Sequence, residues 1–332
     1  MLQQLPEAAL SYSAEQRAEI QAALAAVSRL WRRVGSDFDG SYARIEPQLL
    51  SVLFTAQERV ADSALAYVPD VLLDAPAPLY ESVGSRFVGV AGDGLPVASM
   101  AYGAVIQAKQ GMAAGLSEGV SLAKAGQFLN LAAGTMLSDT GRAAEKVSGG
   151  AHRVRLWTRM LNPPSCGRCV VLAGRTTTHE TAFLRHPGCD CRNVPSAEDT
   201  GDDARTDPKA YLNGLSADEQ DRVLGSKANG QAFRDGADMN QLINAYRRKG
   251  AVRAGQVNGQ GIKFTREGTT RRGHAYWQMS EAGYVKEQGM FKDGSKARPK
   301  LKAPRLMPET IYQIAKDQDD AKRLLKLYGW VF

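Results

Sequence analysis

All four cysteines of this 332-residue chain lie in two short groups. The first is the turn Cys166-Gly-Arg-Cys169, and the second is the segment His186-Pro-Gly-Cys189-Asp-Cys191. A CxxC turn lets two thiolates converge on one ion, and a second pair of sulfurs completes a tetrahedron. The spacing therefore predicts a structural zinc site with the four cysteines as ligands. His186 would orient a ligand or replace one sulfur.

Two other arrangements fit the same residues. The cysteines could be buried and reduced while His186 pins the loop by hydrogen bonds, or they could form a disulfide. A catalytic zinc is not expected, because such an ion needs an open position and a nearby general base. Glu180 is the single acidic residue between the two groups, and the histidine follows the CxxC turn instead of preceding it as in deaminases. We therefore expect these residues to cross-link a short segment that has few apolar side chains of its own. We do not expect the protein to be an enzyme.

Another pattern with possible chemistry is Gly115-Leu-Ser117-Glu-Gly119, which matches the GxSxG nucleophile elbow. The elbow requires a buried strand before the serine, whereas Val105–Ala114 has the composition of a helix. We therefore predict that Ser117 is a loop or cap residue. The sequence also lacks a P-loop and a convincing dinucleotide fingerprint, so nucleotide hydrolysis is not expected.

Positive charge is concentrated near the C-terminal end of the sequence. The chain carries a formal net charge of +7, and residues 247–305 contain fifteen Lys or Arg against four Asp or Glu. Such an excess attracts polyanions through counterion release, although a solvated basic tail is the alternative. The predicted DNA-binding residues are Arg266, Arg271, Arg272, Lys296, Arg298, Lys300 and Lys302.

Aromatic residues alternate with these cations, and they admit two interpretations. Aromatic rings among Lys and Arg can stack on bases, or the same rings can form a small core. We favour the core, because a weakly apolar segment must bury something. The rings are Phe264, Tyr276, Trp277, Tyr284 and Phe291.

The first 150 residues have helical periodicity. Ser13 and Gln16 resemble a capping box ahead of a stripe of apolar residues at three- and four-residue steps. A second helix is predicted from Ser41 to Tyr67, where Pro69 would end it. Two further helices are predicted, at 97–109 and 121–147, on either side of the Ser117 segment.

The amino-acid composition changes after Gly149-Gly150, and the basic segment begins at Arg247. The sequence therefore predicts three regions: residues 1–150, 151–246 and 247–332. Residues 170–172, 263–265 and 275–278 are strand candidates. Short helices are predicted from Asp207-Pro208, from the capping box Ser216–Glu219, around 239–246, and from Asp317 to Gly329. The fold class is mostly α: an N-terminal helical domain, a small irregular α+β domain with the Cys/His knuckle, and a C-terminal helical end.

No stretch approaches the roughly 20 apolar residues of a membrane span, and no secretory signal is readable. The sequence thus predicts a protein without a membrane partner that is made in the cytoplasm.

The CxxC turn followed by HPxCxC, from Cys166 to Cys191, resembles the hallmark of the phage Mu F-type minor head proteins. Two further stretches are similar to versions carried by phages of actinobacteria. These are Leu212-Asn-Gly-Leu-Ser-Ala-Asp-Glu-Gln220 through Val223-Leu-Gly225, and Thr269-Thr-Arg-Arg-Gly273 with the ending Arg305-Leu-Met-Pro-Glu-Thr-Ile-Tyr312. The resemblance covers roughly Trp157 to the C-terminus.

The resemblance implies a virion component that binds the portal protein inside the head, contacts packaged double-stranded DNA and aids head assembly and genome delivery. Residues 1–150 would be the portal-docking arm, and residues 151–246 the Mu F-type domain. The major capsid protein or a scaffolding protein is a further implied partner. The protein would reside in the host cytoplasm during assembly and in the virion afterwards. The alternative is an enzyme, either a capsid maturation protease or a zinc-dependent hydrolase of nucleic acid.

Overall fold

A computed structural model describes residues 6–72, 75–163, 165–178, 191–196, 207–257, 259–270, 272–284 and 301–332. The chain divides into two compact units. The helical unit comprises Gln3–Pro164 and Gly174–Thr206, and the C-terminal unit contains Ser165–Ala173 and Asp207–Phe332. The predicted boundaries near residues 150 and 246 stay predictions.

Four long helices form most of the helical unit. They are α1 (Glu7–Trp31), α2 (Phe38–Val71), α3 (Val97–Ala113) and α4 (Glu118–Ala151), with a short 3₁₀ turn at Gly84–Phe87. Asp37 caps α2 by accepting a hydrogen bond from the Gly40 amide, which satisfies one of the donors exposed at a helix start. These are the four helices that the sequence predicted for the first 150 residues.

The predicted start of α1 and the predicted end of α2 were wrong. Helix α1 begins before Ser13, so the hydroxyl of Ser13 lies in the helix interior and donates to the Ala9 carbonyl at 2.7 Å instead of capping. Helix α2 continues two residues past Pro69, and Pro47 also lies inside it. The lost amide donors of these prolines are tolerated because packing, and not propensity alone, determines helix stability.

The helices of this unit bury a continuous apolar core. One side chain from each helix illustrates the stripe: Val27, Leu53, Val105 and Leu129 are all fully buried and belong to one cluster. These residues recur at helical spacing, so burying them turns one face of each helix inward. A second cluster extends this core to Trp157 and Val194.

A three-stranded antiparallel sheet completes the helical unit. Its strands are β1 (Leu156–Met160), β2 (Thr176–Thr178) and β3 (Arg192–Ser196), in the order β2-β1-β3. Trp157 on β1 pairs with Thr177 on β2 and with Pro195 on β3. None of these three strands was predicted from the sequence.

The C-terminal unit is built from short helices and one small sheet. The helices are α5 (Gly167–Leu172), α6 (Pro208–Asn213), α7 (Ala217–Leu224), α8 (Lys227–Arg234), α9 (Met239–Asn244), α10 (His274–Glu281), α11 (Pro308–Ile314) and α12 (Gln318–Leu327). The strands are β4 (Val252–Val257), β5 (Gln260–Thr265) and β6 (Arg305–Leu306), in the order β4-β5-β6 with antiparallel pairing.

Local signals placed several of these elements correctly. Asp207 caps α6, and Ser216 with Glu219 forms the predicted capping box of α7. The chain leaves α12 through Gly329 at a φ of +66°, a left-handed conformation that favours glycine. Residues 263–265 lie in β5 as predicted.

Two strand predictions in this unit were wrong. Residues 170–172 lie in α5, and residues 275–278 lie in α10. Short apolar runs are ambiguous between helix and strand, because the packing partners decide the outcome. The fold class is mostly α, as the sequence predicted. Among the described residues, no helix is long and apolar enough to cross a membrane.

Candidate polyanion-binding site

The predicted cysteine site is described in part. The sulfurs of Cys166 and Cys169 lie 3.4 Å apart at the start of α5, with Cys169 buried and Cys166 exposed. This separation is far longer than the roughly 2.05 Å of a disulfide bond. Two thiolates that share a zinc at about 2.3 Å each would be nearly 4 Å apart, so the turn fits one half of a tetrahedral site.

The other half of the predicted site is less fully described. His186 and Cys189 lie outside the described residues, and Cys191 is buried directly before β3 in the helical unit. Across the ranges that the structure describes, no group of three or more His, Cys, Asp or Glu residues could hold a metal ion. The zinc site therefore stays a prediction.

The basic segment forms a cleft at one end of the β4–β5 hairpin. Antiparallel pairing places Val252, at the start of β4, opposite Thr265, at the end of β5. The turn that enters β4 and the turn that leaves β5 are consequently neighbours. Both turns contain a glycine with a left-handed backbone: φ is +75° at Gly250 and +74° at Gly268. The hairpin thus brings two sequence-distant stretches of cations together.

This cationic cleft has a volume of about 510 Å³. All five basic residues that line it are exposed, and within the described ranges none of them forms an ion pair. Glu267 is the one acidic residue among the described lining residues. The basic lining residues are Arg247, Arg248, Lys249, Arg253 and Arg266.

The turn that follows β5 forms one wall of the cleft, and a buried arginine fixes its backbone. Arg305 is 1% exposed, and its Nη1 donates to the Glu267 carbonyl at 2.9 Å. Its other nitrogens donate to the carbonyls of Tyr328 and Gly329, both at 2.8 Å, and to the side chain of Gln241. The guanidinium carbon lies 3.7 Å from the centre of the Trp330 ring, where a cation–π contact is favourable.

Burial lowers the pKa of the Arg305 guanidinium, while the nearby Glu267 carboxylate raises it. Four hydrogen-bond acceptors compensate for the removal of this charge from water. Arg305 was counted among the fifteen cations of the basic segment, but its charge stabilises the fold and is not exposed to a ligand.

The predicted DNA-binding residues have different positions. Arg266 lines the cationic cleft, and Arg272 and Lys302 are exposed elsewhere in the C-terminal unit. The remaining four predicted residues, Arg271, Lys296, Arg298 and Lys300, lie outside the described residues.

Sequence reasoning left the other four cleft cations out of the predicted site. The run Arg247-Arg248-Lys249-Gly250 was the available signal, since three consecutive cations before a glycine indicate a charged turn. The aromatic residues divide between the two interpretations: Tyr276 is buried, whereas Trp277 is 55% exposed.

The cleft has the chemistry of an anion site. Five cations and two turns with exposed backbone suit a ligand with several phosphates, because Arg offers paired N–H donors and Lys a point charge. A single small anion would not need cations spread over 510 Å³. A nucleic acid backbone presents regularly spaced phosphates and fits this arrangement.

The serine of the GxSxG pattern caps a helix. The hydroxyl of Ser117 accepts a hydrogen bond from the Val120 amide at 3.4 Å, at the start of α4. Helix α3, and not a strand, precedes it. The prediction that Ser117 is a cap residue is confirmed.

The helical unit contains a buried polar cluster that the sequence did not reveal. The hydroxyl of Tyr12 on α1 donates to the Glu145 carboxylate on α4 at 2.7 Å, and the Tyr12 ring stacks on Tyr67 of α2. The guanidinium of Arg192 on β3 lies 5.1 Å from the Tyr12 ring centre and donates to Ser13 at 2.7 Å. Burial raises the pKa of Glu145, and Arg192 opposes this effect. The cluster joins α1, α2, α4 and β3.

Comparisons with known proteins add no family to this description: no family model, no curated protein and no solved structure matches the chain.

Proposed function

We propose that this chain is a non-enzymatic structural protein that binds double-stranded DNA through the cationic cleft. The observation that carries the proposal is the set of five exposed cations, without ion pairs in the described ranges, gathered by the β4–β5 hairpin. Exposed cations that form no ion pair gain most from phosphate, because no existing pair must be broken.

The particular role that we propose is that of a minor head protein of a tailed bacteriophage, of the phage Mu F type. Its support is the resemblance of the Cys166–Cys191 motif and of the two C-terminal stretches. In this role the protein would bind the portal inside the head and aid head assembly and genome delivery. The major capsid protein or a scaffolding protein would be an additional partner.

The helical unit supplies the surface that we propose for the portal. Helix α4 exposes Val120, Phe128 and Leu131, of which Leu131 is 60% exposed. Helix α3 exposes Ile106 and Met112. Exposed apolar side chains on long helices are suited to helix-to-helix contacts.

DNA binding is tested with the purified chain and a short duplex over a series of salt concentrations. The double variant Arg247→Ala/Arg266→Ala should weaken binding. The negative slope of log K against log salt should become less steep by about 0.9 for each lost phosphate contact. The control Arg44→Ala/Arg222→Ala removes two exposed charges that do not line the cleft and should leave the slope near the wild-type value.

The proposal fails if the duplex does not bind or if the control and cleft variants behave alike. Cleavage of the duplex, or sequence-limited cleavage of the major capsid protein, would favour the enzyme alternative. Co-purification with the portal protein tests the phage assignment separately. For the proposed zinc, elemental analysis should find one ion per chain, and Cys169→Ser should remove it.

A further inference from the structure

We propose that Arg168, inside the CxxC turn, positions the cationic cleft for phosphate without contacting phosphate itself. The inference rests on the proposed DNA binding. It connects the two strongest sequence signals, the cysteines and the basic segment, through one side chain.

The contact is a two-carbonyl clamp. Nη2 of Arg168 donates to the Tyr246 carbonyl at 3.2 Å and to the Arg247 carbonyl at 2.6 Å. These carbonyls follow the end of α9, where the chain turns from the helix into the run Arg247-Arg248-Lys249. One guanidinium group therefore fixes the backbone from which three cations of the cleft project.

The clamp has a rigid base. Gly167 is buried, and a Cβ at this position would lie 2.5 Å from the Val223 carbonyl and 3.2 Å from the Ile243 side chain. The CxxC turn is thus seated against α7 and α9 at a distance that only glycine permits. Arg168 extends from this seat to the cleft turn.

The two walls of the cleft are held in the same manner. Arg305 donates to the Glu267 carbonyl behind β5, as Arg168 donates to two carbonyls ahead of β4. In both cases an arginine donates to backbone oxygens, while the cations that line the cleft stay exposed. Each clamp also offsets the negative partial charge of carbonyls that would repel phosphate nearby.

A clamp and a direct contact make different predictions for salt dependence. Loss of a phosphate contact reduces the number of released counterions, whereas loss of a clamp loosens the cleft and leaves that number unchanged. The salt slope therefore separates a positioning residue from a binding residue.

The experiment compares Arg168→Ala, Arg168→Lys, Arg247→Ala and the control Arg222→Ala on a short DNA duplex at several salt concentrations. Arg168→Ala should weaken binding roughly fivefold to tenfold with the wild-type slope. Arg247→Ala should make the negative slope of log K against log salt less steep by about 0.9. Arg168→Lys should recover part of the affinity, because lysine can still donate to a carbonyl. Arg222→Ala should resemble the wild type.

A readout without DNA tests the clamp independently of the proposed function. Amide hydrogen exchange across residues 246–251 should be faster in Arg168→Ala than in the wild type, while exchange in α1–α4 should not change. Unchanged exchange in those residues, unchanged affinity, or a slope that becomes less steep as it does for Arg247→Ala would each overturn the inference. Faster exchange in Arg168→Ala, combined with a wild-type chain that does not bind DNA, would instead reject the proposed function and leave the clamp standing.

Discussion

The two units of the molecule place their cations differently. In the helical unit, Arg192 lies against Tyr12 and beside a buried carboxylate, where it joins four elements. In the C-terminal unit, Arg305 has the same inward role, but five other cations remain at the surface of a cleft without ion pairs in the described ranges. The partner of a charged side chain, and not its place in a basic stretch, therefore indicates its role.

The largest expected effect comes from the buried arginine. Arg305→Met should lower the free energy of unfolding by about 3 kcal/mol or more, because the carbonyls of Glu267, Tyr328 and Gly329 lose their donor in a buried site. Urea unfolding monitored by tryptophan fluorescence gives the value.

The matched control is Arg272→Met, which makes the same change at an exposed position of the same unit. Its effect should stay within about 0.5 kcal/mol. Equal effects of the two substitutions would show that Arg305 is no more structural than a surface cation, and the comparison between inward and outward arginines would fail.

A smaller effect is expected from the carboxylate in the helical unit. Burial raises the pKa of Glu145, so the folded state keeps its proton to higher pH than the unfolded state does. Stability from this group is therefore full below the carboxyl's unfolded pKa and falls as pH rises toward the folded value. Glu145→Gln removes this dependence while keeping an acceptor for Tyr12, so its stability relative to the wild type should increase as pH rises above about 4.3.

Thermal unfolding of both proteins between pH 4 and pH 7 measures this trend. Glu15→Gln provides the control, because Glu15 is an exposed residue of the same unit. A stability difference for Glu145→Gln that does not change with pH, or that changes in the opposite direction, would show that Glu145 is ionised without cost in the folded protein.

Local signals in the sequence predicted the four long helices and several of the short ones. The periodicity of α3 and α4 and the capping residues Ser117 and Asp317 depend on neighbours within a few positions. Strands β1 and β3 were missed because the partner of Trp157 on β3 is Pro195, far along the chain. Residues 170–172 became a helix because the CxxC turn packs against α9.

The candidate site was predicted only in outline. Composition indicated a polyanion surface in the right segment, but it could not distinguish Arg305, which is buried, from Arg247, which lines the cleft. That distinction depends on the hairpin register, which places the start of β4 beside the end of β5. The Glu145 cluster could not be predicted either, because Tyr12 and Glu145 are distant in sequence and meet only in the folded chain.

Hydrogen exchange of the full chain, measured with and without a saturating DNA duplex, locates the surface that binds DNA. We expect slower exchange at residues 247–251 and 266–270, the two turns of the cationic cleft, and no change across α1–α4. Protection confined to the helical unit, or no protection in either cleft turn, would show that the cationic cleft does not bind the duplex.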